Sequence, residues 1–129
     1  MADDSGTIVP LPSTSANIPS GSGSERLRRA TVHSLDNGWQ NNALSGTAGH
    51  IYTILSIVFN DRQSTSGAIS IKVNSGSADT YLITGQSHQA DGTFVFSDKF
   101  VMEEDDDLDV YNSVTNGHWW ITYIDQDWT

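Results

Sequence analysis

Cysteine, basic residues and long apolar runs are what this sequence most lacks. The chain of 129 residues contains no cysteine, which excludes disulfides, Cys-x-x-Cys zinc sites and thiol-dependent catalysis. Lysine and arginine total 6 against 16 aspartates and glutamates, so the formal net charge is -10. Nucleic-acid binding depends on Lys and Arg contacts to phosphate, and we therefore expect no nucleic-acid partner.

Apolar content is also low, at 36% of the chain, against about 45–50% in an average globular protein. No apolar run approaches the roughly 20 residues of a membrane span, so no membrane association is expected. The first residues, MADDSGTIVPLP, are acidic and lack the apolar core of a signal peptide. The length fits one domain, or a small domain with an arm.

Composition divides the chain into two parts. Residues 5–24 are rich in Ser, Gly and Pro and cannot bury enough apolar surface to offset the entropy lost on ordering. We therefore predict an extended N-terminal arm over residues 1–29, followed by a domain over residues 30–129. The arm would lie along a partner chain, with its short apolar side chains as anchors: Ile8, Val9, Leu11 and Ile18.

Charge follows the same division. The arm has three acids and three bases, whereas the domain has 13 acids and three bases and so carries the whole -10. Half of the positive charge therefore lies at the end of the arm, where we expect it to pair with acidic surfaces of a partner or of another copy. These bases are Arg26, Arg28 and Arg29.

From Ala30 onward, short runs of β-forming residues alternate with Gly, Asn, Asp and Ser, and no helical period exceeds one turn. The strongest strand signal is HIYTILSIVFN at residues 50–60, and residues 68–74 alternate cleanly. About seven or eight strands in this length predict an all-β fold, an antiparallel β-sandwich that is jelly-roll-like. A barrel is the alternative, and the lack of a crossover helix excludes a parallel α/β fold.

An acidic run, Glu103–Asp107, is the most conspicuous local motif. Consecutive carboxylates could collect Ca²⁺, which takes six to eight oxygen ligands. The run lacks the spacing and the turn glycine of a calcium loop. We interpret it as a solvated turn that joins two strands, with a divalent ion or a basic partner surface as the alternative.

Catalytic patterns are missing. The four histidines are His33, His50, His88 and His118, and no two lie within four residues, so they form no local metal pair. They could meet only in space, for example around the symmetry axis of an oligomer. There is no G-x-S-x-G elbow and no distinctive carboxylate pair. We predict no enzyme, no catalytic residue, no cofactor and no metal.

Tryptophan placement indicates an interface. Trp119 and Trp120 are adjacent in a predicted strand and must point to opposite faces, so one faces outward. An outward tryptophan marks a contact with a subunit or with a ligand such as a sugar. Trp128 is close to the chain end and better placed for a neighbour than for a core. We therefore add Trp120 and Trp128 to the predicted partner-binding residues.

The region from Ala48 to Asp125 resembles a family of small β-sandwich structural proteins of tailed bacteriophages. The resemblance rests on four short segments, and an acidic run stands where the family commonly has a single Gly-Asp turn. The segments are Ile54–Asn60, Ala68–Val73, Asp106–Val110 and Ile121–Ile124.

This resemblance implies a virion component without catalytic residues. The first expectation is a capsid decoration (cement) protein on the capsid surface, a homotrimer that binds the major capsid protein and reaches neighbours with its arm. The alternative is a tail, fibre or head–tail accessory domain that binds a receptor or a glycan.

Overall fold

The computed structural model describes residues 24–129 and consists of strands joined by turns. This part of the chain contains nine β-strands and no α-helix, and thus no helix that could span a membrane. The strands are β1 (Ser24–Leu35), β2 (Gly38–Ser45), β3 (His50–Asp61), β4 (Gly67–Ser75), β5 (Ala78–His88), β6 (Thr93–Phe96), β7 (Phe100–Met102), β8 (Asp106–Asn112) and β9 (Gly117–Asp127).

Two antiparallel sheets pack face to face, which confirms the predicted β-sandwich. The order is β1-β9-β3-β6 in the five-stranded sheet, where β7 also pairs with β3, and β2-β8-β4-β5 in the four-stranded sheet. Because β6 and β7 occupy the same edge, each sheet has four strand positions. The chain crosses repeatedly from one sheet to the other, and the resulting order is that of a jelly roll.

The domain begins earlier than composition indicates. The expected boundary lies after residue 29, whereas β1 starts at Ser24 and pairs with β9 from Asp127 onward. The pairing partner of this segment is about 100 residues away in sequence, so local composition carries no sign of it. Glu25 and Gln126 show the link directly, since the Gln126 amide donates to the Glu25 carboxylate at 3.1 Å.

Alternation along the strands fills the space between the sheets. Trp119 is 2% exposed and contacts the Phe59 ring at a centroid distance of 4.8 Å. Trp120 is 44% exposed, so the two tryptophans point to opposite faces as predicted. The most deeply buried aliphatic residues around Trp119 are Ile54, Ile57, Ile69, Ile71, Leu108, Val110 and Ile121.

A buried carboxamide connects the two sheets. Asn112 ends β8 in the four-stranded sheet and is fully buried. Its Nδ2 donates to the carbonyl of Leu35 at 3.0 Å and to that of Val114 at 2.8 Å. Its Oδ1 accepts from Trp119 Nε1 at 2.9 Å. Since Leu35 and Trp119 belong to the five-stranded sheet, one side chain fixes the relative position of the two layers.

Gly117 makes room for this carboxamide. A Cβ at Gly117 would lie between 2.4 and 2.7 Å from the Asn112 side-chain atoms. Gly117 is also the first residue of β9 and pairs with both β1 and β3. A larger residue there would displace Asn112 from Leu35 and Trp119.

Replacing Asn112 tests this connection. Asn112→Ala leaves the Trp119 N–H and two carbonyls without partners, and we expect the free energy of unfolding to fall by about 2–4 kcal/mol. Asn41→Ala, at an exposed position of β2, should change it by less than about 0.5 kcal/mol. Urea unfolding followed by tryptophan fluorescence measures both. Equal, small effects would contradict the role given to Asn112.

Candidate functional site

Exposed apolar side chains are concentrated on one surface, the outward side of the five-stranded sheet, here named the five-strand face. Five large apolar residues of the described chain are exposed, and four of them lie on this face. Alternation places them there, because their strand neighbours point into the core. They are Leu27, 70% exposed, Val95, 54%, Val101, 55%, and Trp120, 44%.

The apolar residues lie in two rows across the sheet. In the strand register, Leu27 lies opposite Ile124 and Thr53 opposite Val101, while Val58 lies between Trp120 and Val95. A polar row of Arg29, Thr122 and Ser56 separates the two. Exposed apolar side chains gathered on one sheet face in this way mark interaction sites in soluble proteins.

The five-strand face is nearly uncharged. Of the described strand residues that point outward from this sheet, Glu25 and Arg29 are the ones with a permanent charge. Glu25 accepts a hydrogen bond from Gln126, and the Arg29 guanidinium lies 4.6 Å from the Trp120 ring centroid. In a chain of net charge -10, this neutrality sets the face apart from the rest of the surface.

A recess of about 320 Å³ opens at one end of the face, between β1, β9 and β3. His33 and His118 meet there edge to face, with ring centroids 4.6 Å apart. Asn60, Thr31 and Trp120 complete much of its wall. The two histidines are 85 positions apart in sequence, and the antiparallel pairing of β1 with β9 brings them together.

His118 is easier to deprotonate than a free histidine. Burial lowers its pKa below 6.5, and the positive charges of His33 and Arg62 lower it further. Its Nε2 lies 3.0 Å from Asn116 Oδ1. The recess is therefore uncharged on the His118 side at neutral pH.

Two of the three predicted arginines contact other side chains of the domain. Arg28 lies 3.5 Å from the buried carboxylate of Asp125, which also contacts His50 Nδ1 at 2.7 Å. Arg29 stacks on Trp120, whereas Arg26 is exposed near the start of β1. The other predicted anchors, Ile8, Val9, Leu11 and Ile18, lie outside the described residues.

Two further predicted features have clear positions. Trp128 follows β9 and is half-buried. Its backbone N–H donates to the Gly49 carbonyl at 2.8 Å. Glu103–Asp105 of the acidic run form an exposed turn between β7 and β8, as predicted, whereas Asp106 and Asp107 are the first residues of β8. In this turn the Glu103 N–H donates to the Asp106 carboxylate at 2.8 Å. No group of three acidic, His or Cys residues in the described chain is arranged to hold a metal.

An aromatic cluster lies on the outward side of the four-stranded sheet, here named the four-strand face. Trp39 contacts Tyr111 at a ring-centroid distance of 5.3 Å and Tyr81 at 6.2 Å. Lys72 Nζ lies 4.5 Å from the Trp39 centroid and 5.7 Å from that of Tyr81. The members of this cluster come from four strands, so the sequence does not show that they meet, although alternation indicates the outward positions of Lys72 and Tyr111.

Lys72 is held by a polar network. Its Nζ lies 3.2 Å from Asp79 Oδ2, and Asn74 Nδ2 donates to Asp79 Oδ1 at 2.6 Å. The hydrogen bond from Asn74 and then that from Lys72 lower the pKa of Asp79. The hydrogen bond to Asp79 in turn raises the pKa of Lys72. Both groups are thus charged across the physiological range.

The outward faces of the two sheets differ in chemistry. The five-strand face is aliphatic and nearly neutral, whereas the four-strand face combines aromatic rings with charged side chains. No family model, curated protein or solved structure matches the chain.

The pKa of His118 provides a test of the recess geometry. Arg62→Gln removes a nearby positive charge, and we expect the pKa of His118 to rise toward 6.5, as measured by NMR titration of its ring protons. Lys99→Gln removes an exposed charge elsewhere and should leave it unchanged.

The lowered pKa of His118 makes the folded state less stable in mild acid. Because the folded state binds a proton at His118 less readily than the unfolded state, its contribution is present above the unfolded pKa of about 6.5 and is lost as pH falls below that value through the lower pKa of the folded state. His118→Gln should therefore weaken the loss of stability between about pH 7.5 and pH 5.5. An unchanged pH dependence would contradict the assignment.

Proposed function

We propose that this protein is a capsid decoration (cement) protein of a tailed bacteriophage, which binds the assembled head and stabilises it. The observation that carries the proposal is the gathering of exposed apolar residues on a nearly neutral face of a strongly acidic chain. Such a face suits repeated protein contacts in an assembly. The resemblance of residues 48–125 to phage structural proteins, an expectation from the sequence, favours a phage head as that assembly.

The jelly-roll fold agrees with a capsid role and equally with a glycan-binding role. Jelly rolls occur in viral capsid domains and in lectin domains. A fold alone does not determine function, so this agreement counts as analogy. The difference between the two candidate functions has to come from what each face binds.

The proposed mechanism is mechanical. The domain contacts other copies of the chain, and residues 1–23, which join β1 at Ser24, reach the neighbouring capsid subunits. Each arm contact is weak, but several contacts per oligomer raise the effective affinity. Linked capsid subunits then resist the outward pressure of packaged DNA. Arg26, exposed close to the arm junction, is placed to pair with an acidic group of the shell.

Removal of the arm tests this mechanism. With heads assembled in the absence of this protein, we expect the full chain to sediment with the shells. A chain lacking residues 1–23 should bind at least about tenfold more weakly, because the multivalent contacts are lost. Circular dichroism should show the same β-content for both chains.

A variant with four substitutions serves as the length-matched comparison. Replacing the four apolar anchors of the arm by serine keeps its length and should reproduce most of the loss. Equal occupancy of shells by the full and the truncated chains would overturn the proposal. The anchors are Ile8, Val9, Leu11 and Ile18.

A glycan-binding domain of a tail or fibre is the second candidate, and the four-strand face favours it. The half-exposed ring of Tyr81 beside Trp39 offers a stacking surface for a sugar. Lys72, Asp79 and Asn74 supply donors and acceptors for hydroxyl groups next to these rings.

Binding of host-surface polysaccharide by the isolated protein separates the candidates. If the protein is a glycan-binding domain, calorimetry should show binding that Tyr81→Ala weakens at least about tenfold through the loss of ring stacking. Trp120→Ala, on the opposite face, should retain it. A decoration protein should bind shells and show no heat with the polysaccharide.

A further inference from the structure

We propose that copies of this chain associate through the five-strand face, that the His33–His118 recess lies inside the contact, and that the contact weakens in acid. This inference rests on the proposed function, since it assigns the self-contacts of the decoration protein to particular residues. Charge, size and surface chemistry of the face each point to a second copy as the occupant.

Charge limits where two identical acidic chains can touch. Each copy carries -10, so contacts between most parts of their surfaces bring like charges together. On the four-strand face, the outward carboxylates of Asp79 and Asp107 outnumber Lys72, whereas Asp109 is buried and accepts from the Asn42 N–H. On the five-strand face, Glu25 and Arg29 balance. A second copy therefore meets little repulsion when it docks on the five-strand face.

The size of the face fits a stable contact. It spans four strand positions, and β9 contributes 11 residues along its length. With strands about 4.8 Å apart and a rise of about 3.3 Å per residue, its area is about 700 Å². A standard interface buries about 800 Å² on each partner. Two copies facing each other would thus cover most of the apolar patch.

The chemistry of the face suits close approach. Thr31, Ser56 and Thr122 are short and lie among the larger side chains of Leu27 and Trp120, so two faces can interlock. Their hydroxyl groups can donate and accept, and each can pair with a hydroxyl of the other copy. The recess beside Trp120, at about 320 Å³, has room for an aliphatic side chain of the second copy.

The two histidines make this contact sensitive to pH. When both are protonated, two positive charges lie with ring centroids 4.6 Å apart. Arg62 acts on His118 with the same sign, and Arg29 lies on the same face beside Trp120. From β3, the uncharged side chain of Asn60 lines the recess and donates to Thr93 of β6, and His118 Nε2 lies 3.0 Å from the uncharged side chain of Asn116.

No carboxylate of these elements offsets the charge. Asp61, at the end of β3, is buried and lies 3.5 Å from His88 rather than in the recess. Glu25, the outward acid of β1, lies at the far end of the strand beside Gln126. Burying uncompensated cations against a second copy is unfavourable, so association should fail as the histidines charge.

Sedimentation of the full chain tests the proposal. We expect oligomers at about pH 7.5 and a dissociation constant at least about tenfold larger at about pH 5.5, where histidine titrates and most carboxylates do not. Trp120→Glu should abolish association at about pH 7.5 by placing a charge in the contact. Tyr81→Glu, at a similarly exposed aromatic residue of the opposite face, should leave it intact.

The double variant His33→Gln, His118→Gln isolates the pH effect. We expect its dissociation constants at the two pH values to agree within about threefold, because no histidine charges in the contact. Association of the wild type that does not change with pH would overturn the role of the histidines. Monomers at every pH, or equal loss in Trp120→Glu and Tyr81→Glu, would overturn the interface. Binding to shells is measured in a separate experiment. A negative result for self-association would therefore leave the decoration role to be decided by that experiment.

Discussion

The jelly roll depends on one buried carboxamide that both sheets share. Asn112 belongs to β8, yet its hydrogen bonds end on the Leu35 carbonyl and the Trp119 indole of the other sheet. Apolar packing is not directional, whereas these hydrogen bonds permit a single alignment of the two layers. Gly117 is part of the same constraint, because its missing side chain leaves the space that Asn112 fills.

This alignment also determines the outer surface. With Trp119 held inward, the next residue of β9 must point outward, and Trp120 becomes exposed on the five-strand face. The pairing of β9 with β1 and β3 then brings His33, Asn60 and Val58 around it. The core hydrogen bond and the proposed contact between copies are therefore linked through a single strand register.

Local pattern was enough to predict the strands and the opposite orientations of Trp119 and Trp120. Period-two alternation reports which side of a strand is buried, and this information is local. The turn predicted at the acidic run was correct for Glu103–Asp105, while Asp106 and Asp107 belong to β8. The start of β1 at Ser24 was not predictable, because it depends on pairing with β9 at the other end of the chain.

The recess and the aromatic cluster were hidden for the same reason. His33 meets His118 through the β1–β9 register, and Trp39 meets Tyr81 across the outward surface of the four-stranded sheet. Strand order decides both contacts, and alternation says nothing about which strands are neighbours. Composition did show the acidity of the domain, but only the register shows that one of its faces is nearly neutral.

Labelling of Trp120 by hydroxyl radicals over a protein dilution series tests the central claim most directly. If the five-strand face joins copies of the chain, Trp120 should be protected at high concentration and become labelled on dilution at about pH 7.5. Trp39, on the opposite face, should be labelled to the same extent throughout. Labelling of Trp120 that does not change with concentration, in a sample that sedimentation shows to be oligomeric, would contradict this account.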